Sequence, residues 1–272
     1  MLPWLIPAVI AGLVAIAVTV AIEKLGGRKG GLIGTLPTTI IPATFGMVAV
    51  SPTVTAFQDA LFMTPAGMLI NAVFLLLWRV IPPRLPRIAS NLRLLLCLTV
   101  TMLAWVTMAT IIVFATPAVL DMGIKTSTFS LILMGCGVVL GVVACLKNPP
   151  SPPATAKVAP LALIARGLLA ATAIAASLWL AEHNGPWIAG MAAVFPAIFV
   201  TTMCTLWVAH GEAVGSGAVG PMMLGGTSVS AFAWLAAWWV PVLGVTLACL
   251  AAWVTAVAVI TLPAWWWLTT KR

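Results

Sequence analysis

Two glutamates in apolar surroundings are the residues of this chain best suited to binding a proton or a cation. Glu23 and Glu182 each end a long apolar run, and each is followed by two glycines and then a proline at the same spacing. A carboxylate at the end of a membrane span is a candidate site for ion coupling. The alternative is a solvated residue at the level of the lipid headgroups, beside Lys24 or His183.

Three further polar positions extend the set of candidate ion-binding groups. Asp59 falls near the start of a predicted span and is either an intramembrane carboxylate with a function or an interfacial cap of that span. Asn71, further along the same span, is explained by an interhelical hydrogen bond. His210 and Glu212 end another span, where they form either a proton relay or a solvated loop pair.

Two prolines inside apolar runs predict interrupted helices. Pro37 and Pro196 each remove a helical hydrogen bond, and in lipid the freed carbonyl must find another donor. Threonines flank both prolines, and their hydroxyls can satisfy that carbonyl or contact a small solute: Thr38, Thr39, Thr201 and Thr202. Paired interrupted helices indicate a central binding site. The alternative is a plain kink, with small residues that allow close helix packing.

An internal repeat with an offset of 159 residues relates these candidates. The matched types are those with the strongest effect on the backbone, glycine and proline, together with the carboxylate. The matched positions are Glu23/Glu182, Gly26/Gly185, Gly31/Gly190, Pro37/Pro196, Met63/Met222, Gly67/Gly226, Ala72/Ala231 and Pro82/Pro241. A duplicated half in a membrane protein favours a transporter core.

The composition indicates a polytopic all-α membrane protein. Of 272 residues, 62% are hydrophobic and 7% charged, and the mean hydropathy is +1.17. The five cysteines lie in apolar runs without CxxC spacing, so neither disulfides, zinc nor any other metal or cofactor is expected. Apolar runs of span length predict nine transmembrane helices, at 3–23, 31–50, 56–79, 93–115, 128–146, 160–181, 187–208, 218–239 and 243–267.

Basic residues orient the nine predicted spans in the membrane. Twelve of the thirteen lysines and arginines fall on one side, including Arg166, which lies just inside span six and is expected to snorkel back; only Lys125 is opposite. The positive-inside rule then places the N-terminus outside and the C-terminus in the cytoplasm, with a bacterial inner membrane as the expected location. This position of the basic residues at span ends argues against nucleic-acid binding.

The odd number of spans makes the two halves inverted relative to each other. Residues 1–115 form the first four-helix unit, 116–159 a connecting helix with a proline-rich cytoplasmic linker, and 160–272 the second four-helix unit. We therefore expect the units to be related by about half a turn around an axis in the membrane plane.

The second unit resembles the GlpM-type inner-membrane proteins, four-span chains of poorly defined function. The resemblance rests on Trp187-Ile188-Ala189-Gly190, on Phe195-Pro196 and on His210-Gly211-Glu212, and it covers Leu161 to about Ile260. The first unit keeps only Gly31 and Leu36-Pro37, and Pro52-Thr53 stands where the closing glycine and glutamate are expected. The resemblance implies a fused duplicate of a four-span module.

Two classes of function fit these patterns. The first is a secondary transporter, a proton- or ion-coupled carrier of a small solute that acts through the helix interruptions at Pro37 and Pro196. The second is a non-transporting membrane protein with a lipid-handling or assembly role, in which glycines and prolines serve packing. An enzyme is not expected, because no HExxH, Gly-x-Ser-x-Gly or comparable motif is present. The expected partners are the lipid bilayer and a small solute or ion, and a homo-oligomer is compatible with the sequence.

Overall fold

The chain folds as a bundle of helices. The computed structural model describes residues 4–25, 36–147, 160–183 and 185–270, and the side chains of all of these except 18–25, 209, 210, 213 and 214. The elements are α1 (Leu5–Leu25), α2 (Ile40–Val50), α3 (Val54–Val80), a 3-10 turn (Pro82–Arg84), α4 (Ser90–Asp121), α5 (Thr126–Leu146), α6 (Pro160–His183), α7 (Pro186–Ala192), α8 (Ala197–His210), α9 (Glu212–Ala256), a π-helical turn (Val257–Thr261) and α10 (Leu262–Thr270).

Long apolar helices confirm the prediction of an integral membrane protein. Within the described residues, six helical stretches are long and apolar enough to cross a bilayer: α3, α4, α5, α6, α7 together with α8, and the stretch from Gly215 through α10. Large side chains cover the outside of α4, where Leu103 is 62% and Phe114 80% exposed. Lipid tails cover such surfaces without cost, whereas water does not.

Helix α9 is too long to be a single crossing. At 1.5 Å per residue its 45 residues would extend about 68 Å, more than twice the hydrocarbon thickness. Gly244 interrupts it with φ 73° and ψ 160°, a conformation that glycine adopts without steric cost. Leu224 and Ala264, each twenty residues from Gly244, pack in one buried cluster. The chain therefore reverses at Gly244, close to the boundary at 240–242 that the sequence predicts.

Two helix boundaries differ from the sequence prediction. The described part of the second predicted span contains only an 11-residue helix, α2, because the chain turns through Leu36–Thr39 before Ile40; residues 26–35 lie outside the described part. Helix α4 continues through Pro117 to Asp121 instead of ending at 115. A proline inside a membrane helix is tolerated where the freed backbone groups find other partners, so it did not mark an end here.

Helix α3 is the centre of the bundle. It is the most buried of the six long stretches, and its interface with α9 is the most extensive between any two described helices. Polar contacts tie both ends of that interface. Gln58 donates to the carbonyl of Ala237 at 2.9 Å, and Arg79 Nε donates to that of Ser216 at 3.3 Å. Pro241 cannot donate to the Ala237 carbonyl, so Gln58 supplies the missing hydrogen bond.

Small residues bring α1 and α6 into close contact. A Cβ atom built on Gly12 would lie 2.8 Å from the carbonyl oxygen of Gly167 and 3.2 Å from the Cβ of Ala171. Glycine and alanine at such a crossing allow the two backbones to approach, which is the usual way membrane helices gain van der Waals contact.

Candidate functional site

The helix break at Pro196 lies inside the fourth-largest crossing stretch of the second half, between α7 and α8. Helix α7 ends at Ala192, and α8 begins at Ala197, with Pro196 at φ −72° and ψ 32°. The amide of Phe195 bonds the carbonyl of Ala192 at 3.0 Å, which tightens the end of α7 into a turn. The sequence predicts an interruption at this proline, and the described backbone has one.

A matching turn precedes α2. Pro37 is buried, and the amide of Thr38 bonds the carbonyl of Leu36 at 2.7 Å before the helix begins at Ile40. The hydroxyl of Thr38 contacts the same carbonyl at 3.4 Å. Both prolines of the predicted pair therefore stand immediately before a helix start, where their fixed φ and missing N–H are best tolerated.

Asn71 connects the break at Pro196 to two other helices. Its Nδ2 donates to the carbonyl of Val194 at 2.7 Å, and its Oδ1 accepts from Trp105 Nε1, also at 2.7 Å. Val194 lies in the break, where its carbonyl has no continuing helix to receive a hydrogen bond from. The interhelical hydrogen bond expected of Asn71 is present, and its partner is the backbone of the break itself. Trp105 also packs edge-on against Phe195, with ring centroids 5.4 Å apart.

A cavity lies between the two interruptions. Its volume is about 60 Å³, counted as the space open to the centre of a water-sized sphere. The described lining comes from the turn before α2, from α3, α6 and α9, and from both sides of the α7–α8 break: Leu36, Thr39, Met68, Asn71, Ala170, Ala173, Ile174, Ala193, Val194, Phe195, Ala197, Ile198, Phe199, Gly226 and Val229. Of the predicted threonines, Thr39 lines this cavity.

Thr201 and Thr202 instead contact a buried arginine one helical turn away from the cavity. Arg166 is 5% exposed; its Nε donates to Thr201 Oγ1 at 2.9 Å and its Nη2 to Thr202 Oγ1 at 2.7 Å. Thr201 in turn donates to the carbonyl of Ala197, a cavity residue. The expectation that Arg166 snorkels to the interface is wrong, because the hydroxyls of α8 offer it hydrogen bonds inside the bundle.

The acidic candidates lie away from the cavity. Asp59 is half-buried and hydrogen-bonds Thr126 at the start of α5; twelve residues of helix separate it from Asn71, about 18 Å along α3. Glu182 is exposed at the end of α6, beside His183, which stacks on Trp179. Glu23 falls in the last turns of α1, and its side chain lies outside the described part of the structure.

Glu212 forms an ion pair that sequence reasoning did not anticipate. Its two carboxylate oxygens accept from Arg93 Nε and Nη2, both at 2.7 Å, and Arg93 Nη2 also donates to the carbonyl of Pro82. This bidentate geometry fixes the start of α9 to the start of α4. The side chain of His210, proposed from the sequence as a relay partner, lies outside the described residues.

The sequence missed two residues of the site. Trp105 and Phe195 were treated as ordinary apolar positions, yet together they hold the break beside Asn71. A lone arginine within an apolar span was a usable signal for Arg166, since such residues rarely face lipid. No group of three metal-ligating side chains is found among the described residues. Comparison of the sequence and the fold with known protein families, characterised proteins and solved structures finds no match, so the resemblance to GlpM-type proteins stays a prediction.

Proposed function

We propose that this protein is a secondary transporter that moves a small solute through the cavity between its two interrupted helices. The observation that carries the proposal is that one cavity touches both interruptions, at Leu36 and Thr39 on one side and at Ala193 to Phe199 on the other. Interrupted helices let backbone groups face a solute at the middle of the membrane, and rocking of one unit against the other then exposes the site to each side in turn.

The proposed membrane topology has nine crossings. The reversal at Gly244 supports two crossings within the stretch from Glu212 to Thr270. Helices α7 and α8 count as one interrupted crossing, and we propose that α2 and the residues before it form its counterpart. With α1, α3, α4, α5 and α6, this gives the number expected from the apolar runs.

Contacts between equivalent helices support an inverted repeat. If a twofold axis relates two antiparallel helices, each contact has a mirror contact, and the sequence separations of the two lie on either side of the repeat offset. Gln58 and Ala237 are 179 residues apart, and Arg79 and Ser216 are 137 apart, so one separation is 20 more and the other 22 fewer than 159. The pair α1 and α6 agrees, since Gly12 contacts Ala171 at an offset of 159 itself.

The orientation gives the first testable prediction. Single cysteines placed in the linker at Pro149–Pro153, in a variant without native cysteines, are expected to react with an impermeant thiol reagent only after the cytoplasmic side is opened. A cysteine at Lys125, exposed in the opposite loop, is the control and is expected to react from outside. Reaction of the linker from outside would exclude both the nine-crossing topology and the inversion.

Flux in proteoliposomes tests the function itself. Stopped-flow swelling with glycerol, urea, propionamide, ammonium acetate and methylammonium chloride covers neutral, anionic and cationic solutes. We expect protein-dependent flux of at least one of them, and its reduction at least tenfold by Ala173→Phe, because Ala173 lines the cavity. The matched control is Ala176→Phe, one turn along the same helix but exposed to lipid. No protein-dependent flux, or equal flux in both variants, would favour a lipid-handling or assembly role.

Ion coupling by the acids is part of the same proposal. Asp59 is the embedded acid of the described chain, so in the same liposomes Asp59→Asn is expected to abolish the stimulation of flux by an imposed pH gradient. Glu182→Gln, at an exposed position, is the comparison, and Glu23→Gln completes the repeat pair. If the gradient has no effect on the wild type, or if all three variants keep it, the acids are interfacial and the protein is a facilitator.

A further inference from the structure

The lining of the cavity indicates what class of solute it accepts. Most of its described residues are apolar, and the polar side chains among them are the hydroxyl of Thr39 and the amide of Asn71. None of the described lining residues carries a charge. The segment 30–35, which leads into the turn at Leu36, contains glycine, leucine, isoleucine and threonine and likewise has no charged residue.

An ion would lose its hydration in such a site without compensation. Moving a charged group from water into an apolar environment costs far more than moving a neutral polar group, unless an opposite charge or several hydrogen bonds replace the water. The embedded basic group nearest to the cavity along the chain, Arg166, lies one turn beyond it and directs Nε and Nη2 to Thr201 and Thr202. Asp59 lies about 18 Å from Asn71 along α3.

Polar groups at the cavity suit a hydrogen-bond acceptor on the solute. Helices α2 and α8 both begin at its wall, at Ile40 and Ala197, and the first amides of a helix lack partners within the helix. The amide of Asn71 is already committed to Val194 and Trp105, so it contributes orientation of the break more than new hydrogen bonds. A carbonyl or hydroxyl oxygen on an otherwise apolar molecule matches this arrangement.

The volume sets the size of that molecule. A water molecule needs roughly 10–15 Å³ of space measured in this way, so about 60 Å³ holds four or five waters or a molecule of about four to six non-hydrogen atoms. We propose that the site binds small uncharged molecules with an apolar body and one oxygen acceptor, such as a short-chain amide or alcohol, and excludes ions of the same size. This inference rests on the proposed function, because it assigns the solute class of the same cavity.

Three probes of nearly equal shape test the proposal. Propionamide is neutral, propionate is an anion and propylammonium is a cation at pH 7. Each is added in excess to the purified protein in detergent, and the unfolding temperature is measured. At about ten times its dissociation constant, propionamide is expected to raise the unfolding temperature by about 3–6 °C, whereas the two ions are expected to leave it unchanged.

Variants show whether the shift comes from this cavity. Ala173→Phe is expected to lose the propionamide shift, while Ala176→Phe keeps it; Ala193→Leu fills the opposite wall and serves if Ala173→Phe does not fold. A shift by propionate or propylammonium that Ala173→Phe removes overturns the neutral class but leaves a transport site in place. No cavity-dependent shift with any probe overturns the assignment of the solute, and the flux comparison of Ala173→Phe with Ala176→Phe then decides the transport proposal independently.

Discussion

Replacing Gly190 with alanine is expected to destabilise this protein more than adding a methyl group at any other described glycine. The contact is with a backbone atom: a Cβ built on Gly190 would lie 1.8 Å from the carbonyl oxygen of Ala60 in α3. A backbone carbonyl in the middle of a helix cannot rotate away as a side chain does. Helices α3 and α7 would therefore have to separate, and the adjoining break at Pro196 would move with α7.

The cost of this substitution has a physical scale. Overpacking in a close-packed interior costs about 1–3 kcal/mol and occasionally more, and we expect Gly190→Ala to reach or exceed the upper end of that range. Unfolding in mixed micelles by increasing SDS, followed by tryptophan fluorescence, measures it. Solute flux is expected to fall as well, because α7 leads into one wall of the cavity.

Gly135→Ala is the matched control for Gly190→Ala. Gly135 is exposed within α5, and a Cβ at this position meets nothing within 4 Å. Alanine has a higher helix propensity than glycine by about 1 kcal/mol, so this variant is expected to be as stable as the wild type or slightly more so. If Gly190→Ala matched Gly135→Ala in stability, the close approach of α3 and α7 would be wrong.

Asn71→Leu is expected to give the second large effect, because it removes two hydrogen bonds while keeping the volume of the side chain. The carbonyl of Val194 and the indole N–H of Trp105 would both lose their partner inside the bundle. Leaving a buried donor or acceptor unsatisfied costs about 1–3 kcal/mol for each group. We expect a loss of stability of at least 2 kcal/mol on this scale, together with loss of flux, since Val194 and Phe195 line the cavity.

Ser177→Ala provides the comparison for Asn71→Leu. Ser177 also donates to a carbonyl close to the break, that of Ala189, at 2.7 Å. That carbonyl keeps the amide of Ala193 as a partner at 2.9 Å, so removing the hydroxyl orphans nothing on α7. A loss well under 1 kcal/mol, with flux retained, is the typical result for such a membrane hydrogen bond. Equal losses in Asn71→Leu and Ser177→Ala would show that Asn71 does not support the break.

Interruptions of helices were predictable wherever a residue type changes the backbone directly. Pro196 lacks an N–H, and the described helix stops before it and resumes after it. The reversal near 240 was predictable within a few residues from Pro241, although Gly244, which permits the positive φ, makes the turn. Pro117 shows the limit of the rule: the same residue type leaves α4 continuous, because neighbouring groups and not the proline alone decide whether a helix ends.

The partners of polar side chains were not predictable from the sequence. Arg166 was expected at the interface and is buried against Thr201 and Thr202, and Glu212 was paired by proximity with His210 but binds Arg93, 119 residues away. A hydrogen bond depends on distances of a fraction of an ångström between groups brought together by folding. Spacing along the chain carries no such information beyond one or two helical turns.

By itself, the sequence determined that this protein is a helical membrane protein with interruptions at particular prolines, because hydropathy and backbone conformation depend on residues next to each other in the chain. Only the tertiary structure decided that Leu36 and Thr39 face the same cavity as Ala193 to Phe199, and that Asn71 holds the break between them. These groups are up to 160 residues apart, and helix packing alone fixes which of them meet. The site is therefore a property of the bundle, built on helix breaks that the sequence predicts.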